Sequence, residues 1–188
     1  MNKRAKTKYE IIEILAQRWS PRAFSDKAIE SEKLKRIFEA ARWSPSANNS
    51  QPWSFIVGIK DNDNTYDKIY STLVEFNQLW TKFAPVLIIS CGTTDFNNRQ
   101  MYTYSYDVGQ SVAYLTVQAT SEGLFVHQMS GFDRDKAKEL FNLPENVEPI
   151  SAIAIGYIGN PEILNEKLKL MEMSERVRKD FDKFIFTE

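Results

Sequence analysis

The sequence is poor in the residues that most metal and nucleophile chemistry requires. It has one cysteine, Cys91, so no disulfide can close within the chain and no Cys-rich zinc site can form. It has one histidine, His127, which excludes a multi-His metal centre. A Ser–His–Asp triad would have to use His127, and no G-x-S-x-G accompanies it. Glycine is scarce, with seven in 188 residues. Neither G-x-G-x-x-G after a strand nor G-x-x-x-x-G-K-[ST] occurs, so dinucleotide binding of the Rossmann type is excluded. Any phosphate must be held by side-chain cations or ordinary helix ends. No apolar run approaches the ~18 residues of a spanning helix. The charged start MNKRAKTKYE has no apolar h-region behind it, so a cytoplasmic, reducing location is expected. Lys plus Arg number 24 and Asp plus Glu 25, so no general cationic field draws nucleic acid or an anionic membrane.

What is present fits one globular domain spanning residues 1–188. The hydrophobic share of 43% is too high for disorder, and a chain of this length buries roughly 70% of its unfolded surface. Tyr9–Gln17 reads as a short amphipathic helix. Ser31 reads as the cap of a second helix, with Leu34, Ile37, Phe38 and Ala41 as its apolar stripe, stopped by Ser44-Pro45. Trp53–Ile59 and Ala84–Cys91 read as strands. From Tyr66 one stripe runs through Ile69, Tyr70, Leu73 and Val74 to Asn77, and an amide on an apolar face is costly unless hydrogen-bonded. A long helix covers Ser105–Glu122 with Gly123 at its end. Leu124–Met129 is a short apolar run, Asp133 caps a helix through Phe141, and Ile150–Ile158 is a strand. Pro161 opens a helix to about Met173. The alternation of strands and helices predicts a sheet covered by helices on both faces.

Two pairs of arginines are candidates for an anion. Pro21 favours extended backbone at Ser20, which points Arg18, Ser20 and Arg22 to one side. Arg176 and Arg178 share the same spacing, and guanidinium suits bidentate phosphate contacts. A single arginine reads as surface charge, but Trp19, Ser20 and Pro21 stiffen the first pair. Asn48, Asn49 and Gln51 lie between Pro45 and Pro52 in an uncharged loop. Amides that donate and accept can read a planar heterocycle, although turn chemistry accounts for them equally. His127 and Cys91 read as packed core residues. The acids are scattered, no carboxylate pair stands out for acid–base work, and no catalytic side chain or metal site is assigned. Tyr102–Tyr106 either lines a pocket or packs upon itself. Phe181, Phe184, Ile185 and Phe186 must dock on this subunit or a neighbour, and a tail crossing a twofold axis predicts a homodimer.

Together these stretches resemble the FMN-dependent nitroreductase family over nearly the whole chain. The resemblance rests on Arg18-Trp19-Ser20-Pro21-Arg22-Ala23-Phe24, on Ala41 through Trp53, and on Asn77 ahead of Ala84-Pro85-Val86-Leu87-Ile88. It continues in Ser130-Gly131-Phe132-Asp133, Ile155-Gly156-Tyr157 and Arg176-Val177-Arg178-Lys179, in the same order. The resemblance implies an α+β fold, a three-layer α/β/α sandwich around a central mixed sheet, with the C-terminal tail exchanged in a homodimer and FMN at the interface.

It implies that Arg18, Trp19, Ser20 and Arg22 contact the cofactor's phosphate and pyrimidine side, and that Arg176 and Arg178 close on the phosphate. Pro45, Ser46, Ala47, Asn49 and Gln51 reach it from the other subunit. Asn77 reads the pyrimidine edge, and the backbone of Met129, Ser130 and Gly131 covers the ring and donates to N5. The implied activity is a ping-pong NAD(P)H oxidoreductase acting on nitroaromatics, quinones or similar small electron-poor acceptors, without nucleic acid or membrane. An enone or halogenated aromatic as acceptor, or flavin binding without turnover, are the alternatives. Departures from the pattern are Trp80, where relatives carry Lys or Arg, Ser130 in place of Gly or Glu, and no Pro after Arg178-Lys179.

Overall fold

A computed structural model describes residues 3–185; Phe186 lies outside them. Seven helices and six strands follow the order α1 (Glu13–Gln17), α2 (Ser31–Arg42), β1 (Trp53–Ile59), α3 (Thr65–Thr72), α4 (Glu75–Thr81), β2 (Val86–Thr93), β3 (Asp95–Phe96), β4 (Arg99–Gln100), α5 (Tyr104–Ser121), β5 (Phe125–Met129), α6 (Arg134–Leu140), β6 (Val147–Gly156) and α7 (Glu166–Met173). Four strands form the main sheet in the order β1-β2-β6-β5, and β3 with β4 forms a separate hairpin.

β2 shows how the layers arise. Successive side chains of a strand face opposite sides. Val86 and Ile88 join Ile37 and Ala41 of α2 and Val108, Val112 and Leu115 of α5. Leu87, Ile89 and Cys91 join Ile69 of α3, Trp80 of α4, Ala137 of α6 and Leu168 of α7. Helices therefore cover both faces, as the three-layer expectation required.

The sheet is not mixed. All three pairings are antiparallel. The reason lies between β1 and β2. A single helix would return the chain to the start of β1, but α3 and α4 run out and back. The Tyr66 hydroxyl of α3 donates to the carbonyls of Thr81 and Ala84 at 3.0 and 2.9 Å. β2 thus begins where β1 ends, with Ile59 opposite Val86.

Other boundaries differ from the sequence reading too: the helix expected over Tyr9–Gln17 begins only at Glu13. Ser31 is the first helical residue of α2 and Glu30 occupies the cap position without a side-chain cap bond; its carboxylate accepts instead from the Tyr157 hydroxyl at 2.5 Å. The stripe from Tyr66 to Asn77 breaks at Leu73. Its backbone turns extended and bridges Phe132, and the Val74 N–H donates to the Gly131 carbonyl at 3.1 Å. The helix expected from Pro161 divides into a 3-10 turn at Pro161–Ile163 and α7, whose cap is Asn165, accepting from Leu168 N at 2.9 Å. Asp133 caps α6 as expected, accepting from Lys136 N at 2.9 Å. Gly123 follows α5 at φ 76°, a conformation that favours glycine.

Residues 18–25 run past the start of β5 and the chain just after β6. Trp19 packs edge-on against Phe125, with centroids 5.9 Å apart. Phe24 bridges Ile158, and the Gly159 N–H donates to the Ala23 carbonyl at 2.8 Å. The approach is so close that a Cβ on Gly159 would lie 2.4 Å from the Phe24 oxygen.

Candidate functional site

Arg18 leaves the C-terminal end of α1. Its Nη1 lies 3.4 Å from Ser20 Oγ, so the two do share a side of the extended segment. Arg176 reaches the same place from the other end of the chain. Its Nη1 donates to the carbonyls of Ala16, at 3.0 Å, and Lys3, at 2.7 Å. Burial pushes the Arg18 pKa down, and the guanidiniums of Arg176 and Arg178 push it further. Arg176 is lowered in the same way, by burial and by Arg178. Like charges gathered in a half-buried position are unfavourable until an anion joins them.

Arg22 adds a second sign. Its Nε is buried with no hydrogen-bond partner among the described residues. An orphaned buried donor costs about 1–3 kcal/mol. Burial lowers the Arg22 pKa, and the carboxylate of Glu172 offsets part of that effect. That carboxylate is itself occupied, accepting from the backbone N–H groups of Arg22 at 2.9 Å and Ala23 at 3.1 Å. Trp19 is buried, with the Lys3 ammonium 4.9 Å from its ring centroid.

Asn77 sits on α4, buried, and its Nδ2 donates to the Gly131 carbonyl at 2.9 Å. The costly amide on the apolar stripe is thus satisfied by backbone. It pins the strand exit at Met129, Ser130 and Gly131, of which Met129 is buried and Ser130 exposed. A Cβ on Gly131 would meet Asn77 Nδ2 at 2.8 Å and Val74 Cγ2 at 3.0 Å.

Pro45, Ser46, Ala47, Asn49 and Gln51 stand elsewhere. They lead into β1, at the opposite edge of the sheet from β5. The loop is self-bonded and strained: Asn48, Asn49 and Gln51 have φ of 53°, 53° and 47°. Gln51 N–H donates to Ser46 Oγ at 3.0 Å, and Gln51 Nε2 to Asn49 Oδ1 at 3.2 Å. The Ala47 N–H donates to the buried carboxylate of Asp107 on α5 at 3.1 Å. Between this loop and the β3–β4 hairpin lies an open cavity of about 810 Å³, lined by Ala47, Asn48, Phe96, Arg99, Met101 and Thr103 among others. The structure therefore brings Arg18, Ser20 and Arg176 together, and separately joins Asn77 to the turn after β5. It does not bring residues 45–51 to them within one protomer.

The sequence profile of the Nitroreductase family matches residues 15–75 and 59–157. The chain belongs to the nitroreductase family. A relative from Archaeoglobus fulgidus, described as a candidate NADH dehydrogenase/NAD(P)H nitroreductase, is 27% identical over 79% of this chain and 85% of its own. A solved oxidoreductase containing FMN is 30% identical, covers 100% of this chain and 98% of its own, and superposes with a TM-score of 0.89. A nitroreductase family protein of Clostridium difficile 630 is 26% identical, covering 96% of this chain and 99% of its own, at a TM-score of 0.74.

Three residues at the site escaped the sequence reading. Glu172 lies four residues from Leu168 on α7, and both are buried. An acid at i+4 from an apolar core residue is the same signal that singled out Asn77. Lys3 donates to the carbonyl oxygens of Glu172 and Ser174, and nothing in its local sequence marks it. Asp107 stands alone among uncharged residues in α5, and that isolation was its signal. Cys91 is the inert thiol expected, its pKa pushed up to about 12 by burial. Among the described residues no group of His, Cys, Asp or Glu could hold a metal, and no helix is long and apolar enough to cross a membrane.

Proposed function

We propose that this protein binds FMN and catalyses ping-pong transfer of reducing equivalents from NADH or NADPH to nitroaromatics, quinones or similar electron-poor acceptors. The observation that carries the reading is the buried, unpartnered Nε of Arg22 in the short segment that also carries Arg18, with Arg176 bonded to Ala16 just ahead of it. These donors suit a phosphate monoester, whose oxygens accept charge-assisted hydrogen bonds. When bound, FMN supplies the hydride chemistry. Arg18, Ser20, Arg22, Arg176 and Arg178 would hold its phosphate, with Trp19 fixing the backbone between them. Asn77 acts through Gly131, holding the Met129–Gly131 backbone ready to donate to the ring. Its Nδ2 bond to that carbonyl is already made, so its part is to brace the turn.

Residues 45–51 would serve the site of a second copy, which favours the homodimer. α5 supports this reading. Of its 18 residues only Asp107 carries a formal charge, and that side is buried, while Tyr106, Gly109, Ala113 and Tyr114 face outward. A helix without a charged face is one that is covered. Ile12 and Leu15 of the neighbouring α1 segment are exposed beside it. The C-terminal aromatics are only partly docked: Phe181 meets Tyr9 of the same chain at 5.3 Å and stays exposed, which suits a tail that finishes its packing on a partner. The cavity beside Asn48 would admit the acceptor, with Phe96 and Met101 as apolar walls and Arg99 as its cation. A buried free thiol suits a reducing, cytoplasmic setting.

The deciding experiment is the visible absorbance spectrum of purified protein before and after anaerobic NADH or NADPH. A flavin spectrum that bleaches is expected. A flavin spectrum that stays oxidised would favour binding without turnover, and no flavin after FMN addition would end the reading.

A further inference from the structure

We infer that Glu172 is a positioning residue of the anion site: its carboxylate ties the Arg18–Arg22 segment to the end of α7, from which the chain runs on to Arg176 and Arg178, and so sets the distance between the two arginine pairs. The inference rests on the reading that these arginines hold a phosphate.

The two pairs come from opposite ends of the chain, and each sits on irregular backbone. Residues 18–23 lie in no helix or strand, and Ser174 onward leaves α7 in an extended conformation. Irregular segments do not hold a charge cluster at fixed spacing by themselves. Glu172, in the last turn of α7, bonds both consecutive N–H groups of Arg22 and Ala23. It is 1% exposed, so water does not compete for these bonds. Two further links run parallel to it. Lys3 Nζ donates to the backbone oxygens of Glu172 and Ser174. Arg176 donates to Ala16, two residues before Arg18. Glu172 alone joins the two segments through a buried side chain that touches no outside ligand. Its negative charge is spent on backbone amides, so it does not occupy the guanidinium faces that a phosphate would need. An amide in its place would keep one acceptor but turn an N–H group toward a second N–H.

The test compares wild type with Glu172→Ala and Glu172→Gln by titration with three probes: inorganic phosphate, FMN, and riboflavin, which is FMN without its phosphate. For Glu172→Ala the dissociation constants for phosphate and FMN should rise about tenfold or more, the size of one lost charge-assisted contact. Riboflavin should bind as it does to wild type. Glu172→Gln should fall between wild type and the alanine variant, and it serves as the comparison if the alanine variant does not fold. Unchanged phosphate affinity in both variants would overturn the inference. So would an equal loss for riboflavin and FMN, which would mark Glu172 as a general support of the fold. If wild type binds phosphate but no flavin, the cofactor reading fails, and the phosphate titration alone decides the role of Glu172.

Discussion

His127 donates its Nδ1–H to the carbonyl of Pro21 at 2.7 Å while its ring lies 4.4 Å from that of Trp80. A carbonyl only accepts, so the proton is on Nδ1. The single histidine therefore braces the segment between Ser20 and Arg22 from behind. Trp80 is buried against Phe24 on its other side, with centroids 6.2 Å apart. That packing accounts for an indole at position 80: a cation there would have to be buried between the Phe24 ring and a histidine.

This contact sets an acid limit. Burial, opposed by the Pro21 bond and aided by the Arg22 charge, lowers the His127 pKa to about 4 from 6.5. Between those values the unfolded chain binds a proton that the folded chain refuses, so stability rises with pH. The contribution is complete above about pH 6.5 and is lost as pH falls toward 4. The expected loss is on the order of 2 kcal/mol, allowing for solvent at a partly buried ring. Urea denaturation from pH 7 to pH 4 measures it, and His127→Phe should flatten the profile over that window.

Removing one phosphate-side cation should weaken cofactor binding without affecting the fold. Arg178 is exposed, and its Nη1 bonds only its neighbour's Val177 carbonyl among the hydrogen bonds described. Arg178→Ala should raise the dissociation constant for FMN by about 10- to 100-fold, the range for a lost charge-assisted bond. Its melting temperature without FMN should match wild type. Fluorescence titration and calorimetry separate the two quantities.

Asn77→Leu should cost stability as well as binding. The substitution leaves the Gly131 carbonyl with only Val74 N–H and places an apolar chain where Nδ2 sat. A loss of about 0.5–1.5 kcal/mol is expected from the lost hydrogen bond. Chemical denaturation checks it. An unchanged midpoint would mean that the turn is held by Val74 alone.

The uncharged face of α5 predicts assembly. Sedimentation should give about twice the 21.8 kDa chain mass. Ala113→Glu places a carboxylate on that face and should yield monomers. Because residues 45–51 and the arginines stand at opposite sheet edges, those monomers should also lose FMN. A monomer that keeps full FMN affinity would show that one chain holds the whole site.

The parts that were legible in the sequence are those decided by near neighbours. The run Ala84–Cys91 is apolar at every position but Ser90 and became the central β2. Asp133 announced the start of α6 because a short acid before a helix has one local use. What stayed hidden was settled by distant partners. Leu73 and Val74 continue a helical stripe in sequence, yet residues 131 and 132 draw them out of it. The antiparallel sheet follows from the return of α4 beside α3, which no spacing encodes. At the site, the arginines and Asn77 stood out by residue type. The direction of Asn77's bond did not, and neither did Glu172, because each depends on a backbone group more than fifty residues away.

Glu172 bonds residues some 150 positions earlier, and this has a consequence for synthesis. The Arg18–Ala23 segment emerges from the ribosome early, yet its partners just after β6 and in α7 are among the last parts made. Contacts between distant residues form only after the intervening chain is available to close the loop. The arginine cluster is therefore a late product of folding, and nascent chains stalled before α7 should carry the sheet without a competent cofactor pocket.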